Sequence, residues 1–322
     1  MIPAKSNLTI CFAHVVYELG PQFARRNTGI RHLQVRNRDE LDAHLAEFDV
    51  LVASGLWRHE LVDRAPKLRF VQSIGAGTDQ FPRELLAERG IRLASARGGN
   101  ARAVSEHAMA LILGLTRRLG EARDNQAKHV WRGMAADVGK REDELSGKTL
   151  LIVGLGTIGG RLAQLAKAFD MRVIGIRKDP SQGKGAADSV HPLSELAARL
   201  PEADIVALTC PLTKETERLI DAAAFARMKP SAYLINVARG RCVDEAALIK
   251  ALADGTIAGA GIDVTAEEPL PAASPLWTLP TALITPHTAG ETRKYEDAVI
   301  DILLENLERL WRGETPLRNQ VV

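Results

Sequence analysis

A glycine-rich turn between an apolar strand and a helix is the feature that most constrains the fold of this chain. Residues 150–159 read LLIVGLGTIG, so an apolar run leads directly into the pattern G-x-G-x-x-G. In this pattern Gly154 permits a tight turn, Gly156 lets the backbone approach a pyrophosphate, and Gly159 lets the helix pack closely on the strand. The following helix N-terminus attracts anions. The segment predicts a dinucleotide-binding unit, and the alternative is a glycine-rich turn without a ligand.

Apolar strand patterns alternate with helical patterns along nearly all of the 322 residues, a length that suits two hydrophobic cores better than one. Such alternation predicts parallel sheets covered by helices, and therefore two doubly wound α/β domains. Residues 101–122 are predicted to form one long connecting helix. The predicted strands are Leu8–Ala13, His32–Val35, Val50–Ala53, Arg69–Ser73, Ile91–Ala94, Thr149–Val153, Arg172–Ile176, Ile205–Leu208, Ala232–Val237, Ala258–Asp263 and Ala282–Ile284.

Composition and motif content argue against several classes of protein. The formal net charge is +2, which provides no field for binding nucleic acid or an anionic membrane. The three cysteines are widely spaced and show no disulfide or zinc pattern, so we expect a reducing, cytoplasmic location. The chain has no GxSxG, HExxH or P-loop motif. We expect no metal site, and we place the histidines other than His287 at surface or helix-packing positions.

The strand after the glycine-rich turn indicates which dinucleotide is preferred. NAD enzymes usually present an Asp or Glu there to the adenosine ribose. This strand ends in Ile176, Arg177 and Lys178, and the first acid is Asp179. Two cations suit a 2′-phosphate, so we predict NADP, with NAD as the alternative if Asp179 turns back onto the ribose. Both cations also have an ordinary interpretation as solvated surface residues.

Three residues near strand ends in the C-terminal half could reduce a 2-keto acid. Arg239 suits the substrate carboxylate, because its planar fork pairs with a carboxylate and stays charged. His287 could protonate the ketone oxygen, and Glu268 could keep that histidine protonated. Taken singly, each residue has an equally good structural interpretation.

Several motifs in order resemble the D-isomer-specific 2-hydroxyacid dehydrogenase family over nearly the whole chain. They are GLGTIGG at 154–160, CPLT at 210–213, NVARG at 236–240, GIDV at 261–264, EEPLP at 267–271, SPLW at 274–277 and TPHTAG at 285–290. The resemblance implies an NAD(P)-dependent dehydrogenase of D-2-hydroxy acids in which Arg239, Glu268 and His287 are catalytic. It also assigns Thr157, Ile158, Cys210, Pro211, Val237, Ala238, Asp263, His287 and Gly290 to the cofactor.

The resemblance further implies a divided chain. Residues 1–101 with 291–322 would form a flavodoxin-like substrate-binding domain, into which a Rossmann-type dinucleotide-binding domain of residues 102–290 is inserted. In the first domain, Gly75, Ala76 and Gly77 match a substrate loop whose backbone N–H groups would hold a carboxylate. The family is typically a homodimer. Its interface could use Leu111, Ile112, Leu113 and Leu115, which are equally plausible as core residues of one chain.

Two other functions deserve comparison with a reductase of glyoxylate or hydroxypyruvate. Corepressor-type relatives bind dinucleotide mainly for partner recognition, but we expect no disordered tail beyond Val322 to support that role. Family dehydrogenases of other substrates, such as phosphoglycerate, formate or phosphite, form the second alternative. Phosphoglycerate enzymes often carry a regulatory extension, for which we see no room. A phosphite-type loop would offer a lysine near Ala76, and this chain has none between Gln72 and Gln80.

Overall fold

The computed structural model describes residues 2–322, which form two compact units. One unit contains residues 2–100 together with Glu291–Val322, and the other contains Ala101–Gly290. Each unit holds one parallel β-sheet, of five strands in the first and seven in the second. This architecture confirms the predicted class of two doubly wound α/β domains.

The strands and helices follow one another in regular alternation. The strands are β1 (Thr9–Ala13), β2 (Arg31–Val35), β3 (Val50–Ala53), β4 (Phe70–Ser73), β5 (Arg92–Ala94), β6 (Thr149–Val153), β7 (Arg172–Ile176), β8 (Ser189–His191), β9 (Ile205–Leu208), β10 (Tyr233–Asn236), β11 (Gly259–Ile262) and β12 (Ala282–Ile284). The helices are α1 (Leu19–Ala24), α2 (Arg38–Ala43), α3 (Leu61–Arg64), α4 (Arg83–Glu88), α5 (Ala101–Thr116), α6 (Leu119–Ala127), α7 (Thr157–Ala168), α8 (Leu196–Arg199), α9 (Ala222–Phe225), α10 (Glu245–Ala253) and α11 (Tyr295–Trp311).

The first unit has the strand order β2-β1-β3-β4-β5, which is the flavodoxin-like order. Every residue of β1, β3 and β4 is buried, as expected for parallel strands covered by helices on both faces. Helix α11 completes this core although it lies some 200 residues further along the chain. Its residues Val299, Ile300, Leu303 and Leu307 are almost fully buried.

The second unit has the strand order β12-β11-β10-β9-β6-β7-β8. Strand order reverses between β6 and β9, which pair directly, so this is the switch point where ligands bind in open α/β sheets. Edge strand β8 was not predicted. It has three residues, all only partly buried, so its apolar pattern is too short to be recognised in the sequence.

The single long helix predicted over residues 101–122 is wrong. Helix α5 ends at Thr116 and α6 begins at Leu119, because Arg118 takes a left-handed conformation with φ of 51°. The Thr116 carbonyl accepts instead from the N–H of Asp143, at 2.9 Å. No residue of α6 is buried, so packing does not hold it in line with α5.

The leucine-rich face of α5 could serve a dimer interface or the core of its own chain, and the structure shows how its residues pack. Leu111 and Ile112 are 3% and 1% exposed and belong to the core around β6. Leu113 and Leu115 are partly buried against the same core. These side chains therefore stabilise their own chain.

Candidate functional site

Most of the predicted site residues lie along one edge of the seven-stranded sheet. Because all seven strands are parallel, their carboxyl ends share that edge. Gly154 follows β6, Cys210 follows β9, Arg239 follows β10, Asp263 follows β11 and His287 follows β12. The sheet order places these strand ends next to one another, which brings together residues that are far apart in the sequence.

The glycine-rich turn has the shape that a pyrophosphate requires. Gly154 has φ of +100°, and a side chain there would place its Cβ 2.6 Å from the backbone of Cys210. A Cβ on Gly159 would lie 2.4 Å from the Gly154 carbonyl oxygen, whereas one on Gly156 would meet nothing within 4 Å. Helix α7 begins at Thr157 without a side-chain cap. The turn thus offers open space beside uncapped N–H groups, and it fits a dinucleotide phosphate.

The acidic residue of the loop after β7, Asp179, is hydrogen-bonded within that loop. The carboxylate of Asp179 accepts from the N–H and the hydroxyl of Ser181, at 3.0 and 2.6 Å, and from the side chain of Gln182. The bonds from Ser181 come first among the causes that lower the pKa of Asp179. Arg177 donates to the carbonyl of Gly183 at 3.1 Å and to Gln182. The strand end therefore presents cations, with its acid committed to the loop.

The other residues assigned to the cofactor differ in how far they are buried. Cys210, Val237 and Ala238 are each 7% exposed. The hydrogen bond to Cys242, together with burial, raises the pKa of the Cys210 thiol, which disfavours the thiolate form. The carbonyl of Pro211 accepts from a threonine hydroxyl at 2.7 Å. Ile158 is partly buried in α7, Gly290 is the last residue of the unit, and Lys178 is exposed.

Arg239 stands on a turn braced by its own strand. Asn236 accepts from the N–H of Ala238 and donates to the carbonyl of Arg239, both at 3.1 Å. Arg239 donates from Nη1 to the carbonyl of Ala238 at 2.8 Å. A Cβ on Gly240 would lie 1.9 Å from the backbone of Thr265, so only glycine permits this contact between the turn and the loop after β11.

Glu268 and His287 form a close pair. His287 Nδ1 lies 2.6 Å from Glu268 Oε2, while the other carboxylate oxygen accepts from the N–H of Thr265 at 3.1 Å. The backbone N–H of His287 donates to the carbonyl of Asp263 at 2.8 Å, and His287 has φ of 55°. This backbone conformation is uncommon for a residue with a side chain, and strain of this kind concentrates at functional sites.

The pair shifts the pKa of each partner in the direction that favours charge. The hydrogen bond that His287 donates to Glu268, together with the charge of that carboxylate, raises the pKa of His287 against the opposing effects of burial and of the Arg239 charge. Burial raises the pKa of Glu268, but the bond and charge of His287 outweigh it, so the net pKa is lowered. The imidazolium form of His287 therefore persists to higher pH than for a free histidine.

Asp263 holds the turn that carries His287, and sequence reasoning missed one residue beside it, His107. Its carboxylate accepts from the Thr285 hydroxyl at 2.6 Å and from the N–H groups of Thr288 and Ala289 at 3.0 Å. His107 of α5 is predicted to lie at a surface or helix-packing position, and in the structure its Nε2 lies 2.8 Å from Thr285 Oγ1. The available signal was a histidine on a helix face that is otherwise apolar.

The predicted substrate loop follows β4 in the first unit. The Ser73 hydroxyl bonds to Gly75 and Gly77, and the carbonyl of Ile74 accepts from the buried Tyr295 hydroxyl at 2.7 Å. Within residues 2–322, the N–H groups of Ala76 and Gly77 donate to no protein atom. Tyr295, which lies on α11, is a second residue that sequence reasoning missed, because 221 positions separate it from Ile74.

Two absences hold for the described part of the chain. None of its helices is long and apolar enough to cross a membrane. Residues 2–322 also contain no group of three or more His, Cys, Asp or Glu side chains placed to bind a metal ion.

Comparison with known proteins gives a consistent result. Residues 109–289 match the family model described as the NAD binding domain of D-isomer specific 2-hydroxyacid dehydrogenases. Glyoxylate reductase of Korarchaeum cryptofilum is 37% identical over 82% of this chain and 80% of its own length. D-3-phosphoglycerate dehydrogenase of Methanocaldococcus jannaschii is 34% identical over 86% of this chain, a match that spans 52% of that protein.

A solved structure shares the whole fold. It is the NADPH-dependent glyoxylate/hydroxypyruvate reductase of Sinorhizobium meliloti in complex with NADP and malonate, with a TM-score of 0.82 and 27% identity over 98% of this chain and 97% of that one. With the matched residues, the coverage and the strand-end site taken together, the chain belongs to the D-isomer specific 2-hydroxyacid dehydrogenase family and is an NAD(P)-dependent oxidoreductase of 2-hydroxy acids.

Proposed function

We propose that this protein reduces a small 2-keto acid, glyoxylate or hydroxypyruvate, to the D-2-hydroxy acid, with NADPH as the preferred cofactor. The observation that carries the proposal is the 2.6 Å pair of His287 and Glu268 on the same sheet edge as Arg239. The glyoxylate reductase among the relatives matches over most of its length, which supports these substrates.

The proton is held by His287. Its Nδ1 is engaged by Glu268, so Nε2, on the far side of the ring, is the nitrogen that would donate to the ketone oxygen. Because Glu268 raises the pKa of His287, a larger share of this residue is in the acid form at a given pH than for a free histidine. NADPH, when bound, supplies the hydride. In the oxidation direction His287 would accept the hydroxyl proton as a base.

Arg239 would bind the substrate carboxylate and polarise the carbonyl. The bracing by Asn236 fixes the backbone of its turn, so little conformational entropy is lost on binding. A guanidinium donates two parallel bonds to a carboxylate, which sets the orientation of the keto group. Stabilising charge on the ketone oxygen as it develops is the larger contribution to rate.

The loop of Gly75, Ala76 and Gly77 is proposed as a binding element of the first unit for a substrate carboxylate. Its support is the pair of N–H groups, on Ala76 and Gly77, that make no bond to protein. The side chain of Ser73 orders the loop, and the hydroxyl of Tyr295 anchors it at Ile74. Backbone donors held in this way form an anion-binding concavity.

The division of labour between the two units is also a proposal. We assign cofactor binding to Ala101–Gly290, on the basis of the glycine-rich turn at the switch point. Residues 2–100 with Glu291–Val322 are assigned to the substrate, on the basis of the substrate loop. NADPH is preferred over NADH because Arg177 and Lys178 occupy the strand end while Asp179 is committed to its loop.

A homodimer is proposed on the basis of exposed apolar side chains in the segment after α6. Trp131 is 97% exposed, and Val130, Met134 and Val138 in the same segment are also exposed. We infer that a segment exposing several large apolar side chains is an interaction surface. The occupant we propose is a second copy of this chain. Light scattering should give twice the monomer mass, and Trp131→Glu should shift the population towards monomer.

The proposed reaction is tested with a panel of 2-keto acids assayed with NADPH and with NADH. Glyoxylate, hydroxypyruvate, pyruvate, phenylpyruvate and 3-phosphohydroxypyruvate cover the relevant sizes and charges. We expect the highest kcat/KM for glyoxylate or hydroxypyruvate with NADPH, and a D-configured product where the product is chiral. The phosphoglycerate dehydrogenase among the relatives makes 3-phosphohydroxypyruvate the critical competitor. A clear preference for that substrate would overturn the proposal.

A further inference from the structure

The orientation of one hydrogen-bond chain in the second unit can be deduced from its members. The Thr285 hydroxyl lies 2.6 Å from Asp263 Oδ1, and a carboxylate can only accept, so the hydroxyl donates its single hydrogen there. His107 Nε2 lies 2.8 Å from the same hydroxyl oxygen and 3.5 Å from Asp263 Oδ1. The threonine oxygen must therefore accept from His107, which requires the imidazole hydrogen on Nε2.

This hydrogen-bond chain ends at Asp263, which holds the turn that carries His287; we call it the catalytic turn. The side chain of Asp263 is 1% exposed, and its two oxygens also bind the N–H groups of Thr288 and Ala289. Its backbone carbonyl accepts from the N–H of His287. His287 has a positive φ, which a residue with a side chain keeps only where its surroundings enforce it. The orientation of Asp263 thus determines the backbone that aims the imidazole of His287.

We propose that His107 is a positioning residue for the reaction. Its N–H, relayed through the Thr285 hydroxyl, holds the Asp263 carboxylate in the one orientation that keeps His287 aligned with Glu268. His107 lies on α5, while the other members follow β11 and β12, so the relay ties the catalytic turn to a long buried helix. The inference rests on the proposed role of His287 as the proton donor.

Two substitutions at His107 separate this role from simple packing. His107→Leu removes the donor, and His107→Gln keeps an N–H near the position of Nε2. We expect His107→Leu to lower kcat by about tenfold to a hundredfold, as a misaligned catalytic group does. We expect KM for the keto acid and Kd for NADPH to change by less than about threefold, because ground-state binding is retained. His107→Gln should recover most of kcat. The exposed neighbour Glu106, changed to Gln, serves as the control on the same helix turn and should leave kcat unchanged.

Thr285→Val provides a second and independent test. If His107 acts only through Thr285, the double variant His107→Leu, Thr285→Val should have the kcat of Thr285→Val alone, since members of one network are not additive. Equal kcat for His107→Leu and wild type would overturn the inference. So would a fall in Tm together with kcat that His107→Gln does not rescue. If the wild type itself reduces no keto acid, the proposed function fails. If it is active and the His107 variants match the control, only the positioning role fails.

Discussion

The charge at the end of β7 provides the sharpest test of cofactor choice. Two nitrogens of Arg177 donate within its own loop, to the carbonyl of Gly183 and to Gln182. A guanidinium carries more N–H donors than these two bonds use, so it can also donate to a 2′-phosphate. The change to test is Arg177→Asp, which replaces these donors with a carboxylate that repels phosphate.

The expected size of the effect follows from the number of bonds lost. One hydrogen bond to a charged group contributes about 1.5–3 kcal/mol, which corresponds to a factor of about 10 to 100 in kcat/KM. Arg177→Asp should lower kcat/KM for NADPH by at least that factor. We expect kcat/KM for NADH to stay level or rise, because the new carboxylate can accept from the ribose hydroxyls. Asp179 should not substitute for it, since its carboxylate already accepts from Ser181 and Gln182.

The assay is steady-state reduction of the best keto acid with each cofactor. Arg25→Asp makes the same charge change at an exposed arginine that also donates to a glutamine side chain, so it controls for net charge. Arg177→Gln removes the charge but keeps a donor for the loop, and it should give an intermediate NADPH preference. Wild-type enzyme that prefers NADH, or an Arg177→Asp variant with the cofactor ratio of the Arg25→Asp control, would refute the reasoning.

Four further predictions concern the catalytic groups and the substrate loop. His287→Ala should lower kcat by about 10²–10⁴-fold, with little change in NADPH binding, and near-normal turnover would disprove its role as the acid. Arg239→Lys should raise KM and lower kcat together, because an ammonium cannot form the forked contact; unchanged kcat/KM would exclude that contact. If His287 is the proton donor, keto acid reduction requires its protonated form, so activity should fall as pH rises through its raised pKa. Glu268→Gln should therefore move the alkaline limb of the kcat/KM profile to lower pH, and an unmoved limb would contradict the pairing. Tyr295→Phe removes the anchor of Ile74 and should raise KM for the keto acid while costing about 1 kcal/mol of unfolding free energy, which KM measurements and denaturant titration would check.

Sequence reasoning predicted the sheets closely because it depends on local patterns. Continuous apolar runs gave β3, β6, β7, β9 and β12 with the bounds seen in the structure. Its errors arose where the apolar pattern of the sequence carried no signal. The break after Thr116 comes from a left-handed Arg118 and a bond from a distant segment, neither of which alters the apolar spacing of the helix. Strand β8 is too short to show a period.

The fold class and the family can be predicted from the linear chain, because a strand, a G-x-G-x-x-G turn and motifs in fixed order are properties of the amino-acid order alone. The sequence also indicated which polar residues follow the strands. Because parallel strands of a sheet finish at one edge, these residues were expected to lie along that edge. Which of those residues are in contact depends on the three-dimensional packing of the chain. The Glu268 contact to His287 spans 19 positions, and the His107 contact to Thr285 spans 178. Contacts over such separations depend on how helices and strands pack, and a single sequence carries no local signal for them.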